Sequence, residues 1–183
     1  MYLSQSIIDG LKILGFDKET IRKVSREKSM EEIFLSTLFL NYLIVLVVFL
    51  ITLGMGPITI GDRELNMPVF FGLLMIYPFA YNVIVYILYG LFGIVSELLN
   101  NHKKVKPLVS VGFHTAIVYA LLFYIIGMLT TYDPMFGLFM LAIFTLHFLL
   151  TMFLAITTIY NFSGAQATIV LLIPLLVISV VLF

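Results

Sequence analysis

From Pro134 to Phe183 the chain contains no Asp, Glu, Lys or Arg. About a quarter of the residues in a typical soluble protein are charged, because its surface must be hydrated, whereas only 11% are charged here and 62% are hydrophobic. The formal net charge is zero, so nothing favours nucleic acid as a partner. The uncharged run and this composition predict an integral membrane protein whose charges lie in segments outside the bilayer.

A membrane-spanning helix needs about 20 predominantly apolar residues, because its backbone must satisfy its own hydrogen bonds across the hydrocarbon core. Five segments meet this requirement, and the predicted fold is an all-α bundle of five transmembrane helices. The approximate spans are 33–53, 69–98, 109–130, 135–160 and 165–183. They form one transmembrane domain, 33–183, preceded by an amphipathic, basic segment, 1–32. The second span is the longest, and Pro78 predicts a kink in it.

Lysine and arginine are retained on the cytoplasmic side of membrane proteins. Six basic residues lie in the N-terminal segment and three in the second loop, at positions 103, 104 and 106, whereas the first loop has only Arg63. This bias predicts a cytoplasmic N-terminus. With five spans, the C-terminus is then outside or luminal.

The N-terminal segment has the pattern of two short helices lying against the membrane. One apolar stripe is formed by Ile7, Ile8, Leu11 and Leu14, and Gly15 is expected to end that helix. Asp17 is a suitable N-cap for a second, basic helix, and Ser29 begins a capping-box pattern before the first span. The segment is interpreted either as a membrane-hugging entry or as a docking surface for a soluble partner or anionic lipid.

Polar residues inside a bilayer are costly and are therefore candidates for function. In the second span such residues recur every three or four positions and share one helical face with Gly93, namely Asn82, Tyr86, Tyr89 and Glu97. The face is either a helix-packing surface, which is favoured, or a polar groove. A small-residue ridge in the third span, Gly112, Ala116 and Ala120, predicts close approach of another helix, from this chain or from a second copy.

Candidate chemical groups are few. Cysteine is absent, which excludes thiolate chemistry, and His114 and His147 lack a third ligand at similar depth, so neither a metal nor another cofactor is expected. Asn161, Ser163 and Gly164 are interpreted as the turn before the last span, with Gly164 permitting the turn. An intramembrane hydrolase would need a base beside Ser163, and His147 is expected about 20 Å away along the preceding helix.

Three stretches resemble the YIP-domain family of Ypt/Rab-interacting membrane proteins, over about Thr20 to Phe183. They are the entry "KVSREKSMEEIFLSTLF", the second span "VIVYILYGLFGIVSELL" before its basic loop, and the ending "IYNFSGAQATIVLLIPLLVISVVLF". The resemblance implies a five-span bundle with a cytoplasmic N-terminus. In eukaryotes the family acts in vesicle traffic with Rab-type GTPases, and the short N-terminus is similar to that of prokaryotic members.

These observations favour a non-enzymatic membrane scaffold that organises partner proteins or lipids. Its expected partners are the lipid bilayer, other membrane proteins or a second copy of the chain, and a soluble protein at the N-terminal segment. A small transporter or channel using the polar face of the second span is the alternative. An intramembrane hydrolase is the third hypothesis.

Overall fold

The computed structural model describes residues 2–26, 30–54, 59–60, 63–64, 67–99 and 105–182. Within these ranges almost all residues belong to helices, in the order α1 (Tyr2–Leu14), α2 (Lys18–Val24), α3 (Met30–Gly54), α4 (Met67–Leu99), α5 (Lys106–Tyr132), α6 (Pro134–Tyr160) and α7 (Gly164–Leu182). Two short strands, β1 (Thr59–Ile60) and β2 (Arg63–Glu64), pair antiparallel between α3 and α4.

A helix covers each of the five apolar segments predicted from the sequence, as far as Leu182 in the last of them. Among the described residues, three helical stretches are long and apolar enough to cross a membrane, and a fourth, Gly164–Val177, is apolar but shorter. The three are Met75–Leu99, Lys106–Ile126 and Pro134–Tyr160. The protein is therefore helical and membrane-embedded, and α4 continues through Pro78 rather than ending there.

Helix α5 is the centre of the bundle. Every residue from Leu108 to Ile117 is buried, and α1, α3, α4 and α6 all pack against this helix. From Leu121 to Ile125 the helix is covered less, because most of these residues, Leu121 and Phe123 among them, are exposed. The bundle is consequently thickest around the first half of α5.

The two N-terminal helices form a hairpin that is part of this thick region, with α1 against α5 and α2 against α6 and α5. The apolar stripe on α1 points outward, since Ile8 and Leu11 are exposed. The opposite face, which contains Ser6, Asp9 and Gly10, is the buried one. An exposed apolar stripe is expected where a helix meets lipid, and the small residues on the other face allow close contact with α5.

The turn of the hairpin begins where the sequence predicts, because α1 ends at Leu14, directly before Gly15. The amide of Phe16 donates to the Ile13 carbonyl at 2.9 Å and that of Asp17 to the Lys12 carbonyl at 3.0 Å, as in a Schellman motif. The left-handed residue of this motif is Phe16, with φ 64°, although glycine is the usual occupant. The phenyl ring explains the exception, because it contacts the imidazole of His147 on α6 with ring centroids 5.2 Å apart.

The predicted N-cap of α2 is confirmed. The Asp17 carboxylate accepts hydrogen bonds from the Glu19 amide and the Thr20 hydroxyl. The hydrogen bond from Thr20 is the main cause that lowers the pKa of the Asp17 carboxyl below its usual value. The capping-box pattern at Ser29 lies outside the described residues.

Candidate functional site

The polar face of α4 lies mainly against α5. Asn82 and Tyr89 are 0% and 2% exposed, and Gly93 is also buried, whereas Tyr86 is 54% exposed and Glu97 is exposed. At 100° per residue, the buried three occupy one side of the sector and the exposed two occupy the other. The structure therefore separates the predicted face into a packed strip and an outward edge.

The packed strip of α4 meets the small-residue ridge of α5. A Cβ atom added to Gly112 would lie 2.5 Å from Cγ of Tyr89, so the tyrosine ring sits directly on the glycine. The Tyr89 hydroxyl is 3.0 Å from that of Thr115, and the Tyr81 hydroxyl donates to the Ala116 carbonyl at 2.9 Å. The helix that approaches Gly112 and Ala116 is thus α4 of the same chain. Ala120, the last member of the ridge, is also buried.

Three polar side chains in the interior have atoms without a hydrogen-bond partner among the described residues. They are both amide atoms of Asn41, the amide oxygen of Asn82 and the hydroxyl of Tyr124. The nitrogen of Asn82 is satisfied, since it donates to the Pro78 carbonyl at 2.7 Å. Buried polar groups are normally paired, and each unpaired one costs about 1–3 kcal/mol.

Both histidines make hydrogen bonds inside the bundle. His114 Nδ1 lies 2.9 Å from the Ser110 carbonyl one turn earlier. His147 Nε2 lies 3.1 Å from the Leu14 carbonyl, and its Nδ1 lies 3.3 Å from the Tyr119 hydroxyl. A carbonyl only accepts, so Nε2 is the donor, and in the neutral imidazole Nδ1 then accepts from Tyr119. His147 therefore links the tip of the hairpin to the core.

The position of His147 gives the depth of the hairpin in the bundle. His147 is the midpoint of α6, so it is about 20 Å from either end of that helix at 1.5 Å per residue. At the other end of α2, the Ser110 hydroxyl donates to the Val24 carbonyl at 3.1 Å, one turn into α5. The hairpin thus runs from the loop end of α5 to the middle of α6.

A buried carboxylate holds the two arms of the hairpin together. Asp9 on α1 is 2% exposed, and its carboxylate accepts from Lys23 Nζ at 2.7 Å and from Gln5 Nε2 at 2.9 Å. Lys23 lies on α2, and its side chain is partly exposed while its Nζ atom contacts the Asp9 carboxylate. The sequence pattern gives no indication of this ion pair, because Asp9 and Lys23 lie 14 positions apart on different helices.

We expect Lys23→Met to destabilise the protein by about 1–3 kcal/mol, because the buried Asp9 carboxylate loses its charged partner. The free energy of unfolding in mixed detergent micelles measures the effect. Arg22→Met is the matched control, since Arg22 is exposed and makes no ion pair with the residues that the structure describes. Equal stability of the two variants would show that the ion pair contributes nothing.

The outer face of α2 carries the charges that the hairpin presents. They follow one another along the helix and the turn after it, and all are exposed: Lys18, Glu19, Arg22, Lys23 and Arg26. Of these, Lys23 is engaged with Asp9. The buried face of α2 is formed by Thr20, Ile21 and Val24, which dock it on the bundle.

The turn before α7 has the caps predicted for it, with one correction. Asn161 ends α6 in the left-handed conformation, with φ 56°. The Ser163 amide and hydroxyl both donate to Gln166 Oε1, at 3.0 and 3.1 Å, and the Gln166 amide lies 3.4 Å from Ser163 Oγ. The prediction that Gly164 permits the turn is wrong, because the left-handed residue is Asn161 and Gly164 already belongs to α7.

Ser163→Ala is expected to destabilise the start of α7 by about 1 kcal/mol, the usual cost of losing a serine N-cap. The change in unfolding free energy measures it. Thr168→Ala provides a control, because the Thr168 hydroxyl only donates to the Gly164 carbonyl inside the helix. A loss that is no larger for Ser163→Ala than for Thr168→Ala would contradict the capping role.

The arrangement does not bring the hypothetical hydrolase residues together. The Ser163 hydroxyl is exposed and bonded to Gln166, whereas the His147 ring is bonded to Leu14 and Tyr119 in the middle of α6. Across the described ranges there is also no group of three or more His, Cys, Asp or Glu residues placed to hold a metal ion. Comparisons of the chain with protein-family models, curated proteins and solved structures returned no match.

Proposed function

We propose that the chain is a non-enzymatic, multi-pass membrane scaffold of YIP-like type, which organises partner proteins or lipids through its N-terminal hairpin. In this proposal α3 to α7 cross the membrane, the N-terminus is cytoplasmic and the C-terminus is outside. The distribution of lysine and arginine along the chain supports this orientation.

One observation carries the proposal, namely that the charged face of α2 is held in a fixed position by the bundle. A flexible basic tail would attract anionic surfaces without selecting among them. Here the hairpin is fixed at both ends, by the contacts of Leu14 with His147 and of Val24 with Ser110. A preorganised surface loses less conformational entropy when it binds, which favours selective association.

The location of the charges adds a second physical argument. A charged side chain at the centre of a bilayer costs about 2.5–3.5 kcal/mol on insertion scales. Lys18 and Glu19 are exposed immediately after the hairpin tip, which contacts the middle of α6. Exposure of these groups to acyl chains would be unfavourable, so a protein partner or water beside α2 is favoured.

Photo-crosslinking from α2 tests the proposal in intact membranes. A photoreactive residue at Arg22 is expected to give a discrete protein adduct, whereas one at Ile169, on the exposed apolar side of α7, gives only lipid adducts. Reversing the charge of Lys18 should abolish the Arg22 adduct. Absence of any protein adduct from Arg22 would contradict a scaffold that works through this face.

A small transporter or channel is the second candidate, because the interior contains polar atoms that lack partners. The side chains concerned are Asn41, Asn82 and Tyr124. Buried unpaired groups would be satisfied by water or solute in an open state. Solute flux in reconstituted liposomes that falls on Asn82→Ala would support transport, and flux indistinguishable from that of empty liposomes would remove it.

A further inference from the structure

A lateral groove of about 470 Å³ lies between α3 and α4, and its lining includes no described residue of the α1–α2 hairpin. This volume is within the range of roughly 300–1,000 Å³ that small-molecule sites occupy. Its lining consists of one carboxylate, one aliphatic side chain and three aromatic rings: Glu31, Leu35, Phe34, Tyr86 and Phe113. The three residues from α3 share one helical face because they are separated by three and four positions.

The aromatic rings are held in place by one another. Phe113 is 1% exposed and forms the inner wall, with its ring centroid 5.5 Å from that of Phe34 and 6.4 Å from that of Tyr86. Tyr86 and Leu35 are 54% and 61% exposed, so the groove opens sideways between the helices. Tyr86 belongs to the exposed margin of the polar face of α4, which the packing of that helix against α5 leaves unused.

One acidic residue, Glu31, lines the groove. Glu31 is exposed in the first turn of α3, and it makes no ion pair with any residue in the described part of the chain. A carboxylate beside aromatic faces attracts a cation, and Tyr and Phe rings attract cations through their quadrupoles. Such aromatic sites recognise quaternary ammonium groups in particular.

The groove has few hydrogen-bond acceptors, and this favours a trimethylammonium group over a primary ammonium group. A primary ammonium has three N–H donors, each of which needs a partner once it leaves water. The lining offers only the Glu31 carboxylate and the Tyr86 hydroxyl as side-chain acceptors. A trimethylammonium group has no N–H to satisfy, and its methyl groups can rest against Phe34 and Tyr86.

We propose that the α3–α4 groove binds the choline headgroup of a phosphatidylcholine-type phospholipid. Glu31 and the aromatic rings hold the trimethylammonium group, and an acyl chain lies along Leu35. The site is separate from the charged face of α2, so it does not depend on the scaffold role assigned to that face.

Competitive lipid binding tests the proposal. The full chain, purified in a maltoside detergent, is incubated with equimolar phosphatidylcholine, phosphatidylethanolamine and phosphatidylglycerol of identical acyl chains. Native mass spectrometry then measures the lipid retained on the protein. We expect phosphatidylcholine to be retained about tenfold over the other two, in line with a desolvated cation–π site.

Two variants remove the two parts of the site. Glu31→Gln removes the charge and Tyr86→Leu removes a ring, and each should bring phosphatidylcholine retention down to that of phosphatidylethanolamine. Glu19→Gln is the matched control for lipid binding, since Glu19 is an exposed acid on α2, outside the groove, and its replacement should leave the retention of all three lipids unchanged. Because Glu31 is exposed, its amide variant should keep the thermal midpoint of the parent protein, which separates lost binding from lost folding.

Several results would overturn the proposal. Equal retention of the three lipids would mean that the groove holds only non-selective boundary lipid. A preference for phosphatidylethanolamine or phosphatidylglycerol would reject the quaternary ammonium site, and so would selective retention of phosphatidylcholine that persists in Glu31→Gln and Tyr86→Leu.

Discussion

Replacing Gly10 with alanine is expected to release the α1–α2 hairpin from the bundle. A Cβ atom at this position would lie 2.3 Å from the backbone oxygen of His114. That oxygen belongs to the buried half of α5, so no side-chain rotation relieves the overlap, and α1 must move away as a whole. We expect a loss of about 1–3 kcal/mol in unfolding free energy, which is typical of overpacked sites.

Two quantities test Gly10→Ala, namely the unfolding free energy of the variant and the accessibility of α1 and α2 to protease or to solvent. Proteolysis or amide hydrogen exchange of α1 and α2 should increase, because the contacts at Leu14 and Val24 are lost with the docking. Truncating the His114 side chain should not rescue the variant, since the overlap is with its backbone. Gly164→Ala is a control, because its Cβ would meet only Phe153 Cζ, at 3.7 Å. Protection of α1 that survives Gly10→Ala would contradict the close contact.

Gly112→Ala, at the contact between α4 and α5, is also expected to lower the unfolding free energy strongly. The new methyl group would lie 2.5–2.7 Å from three ring atoms of Tyr89, which is 2% exposed and cannot swing outward. The cost should again be about 1–3 kcal/mol from overpacking. Gly90→Ala, on α4 with nothing within 4 Å of its Cβ, should instead be neutral or stabilising by up to about 1 kcal/mol.

A double-mutant cycle tests whether the Tyr89 ring is the cause of the stability loss in Gly112→Ala. Because the obstacle is a side chain, Gly112→Ala should cost much less in a Tyr89→Ala background than in the parent protein. The coupling energy between the two positions is the quantity to be measured. Additive effects of the two substitutions would contradict the placement of the Tyr89 ring on Gly112.

The helices could be predicted from the sequence because their signals are local. A long apolar run, a residue such as Asp17 before a basic helix, and the polar turn at Asn161–Ser163 each determine their own segment. Gln166 also completes a local capping pattern with Ser163, S-x-x-Q, which can be read directly from the sequence. These features need no information from distant parts of the chain.

The docking of the hairpin could not be predicted in the same way. It depends on a glycine meeting a backbone oxygen more than a hundred positions away, and on a carbonyl at Leu14 reaching the imidazole of His147. The apolar stripe of α1 does not indicate what the opposite face of that helix contacts, because in a membrane the exposed face is the apolar one. Asp9 acquires its partner Lys23 only when the hairpin closes.

The central claim is that the hairpin tip packs beside the middle of α6. Disulfide formation between single cysteines tests it directly, and the absence of native cysteine removes background reactions. Phe16→Cys paired with His147→Cys should crosslink on mild oxidation in membranes, because the two rings are in contact. Phe16→Cys paired with Leu138→Cys, more than two helical turns away on α6, should not. Crosslinking of Phe16→Cys to Asn161→Cys at the loop end of α6, without a product at position 147, would place the hairpin on the membrane surface and contradict the account.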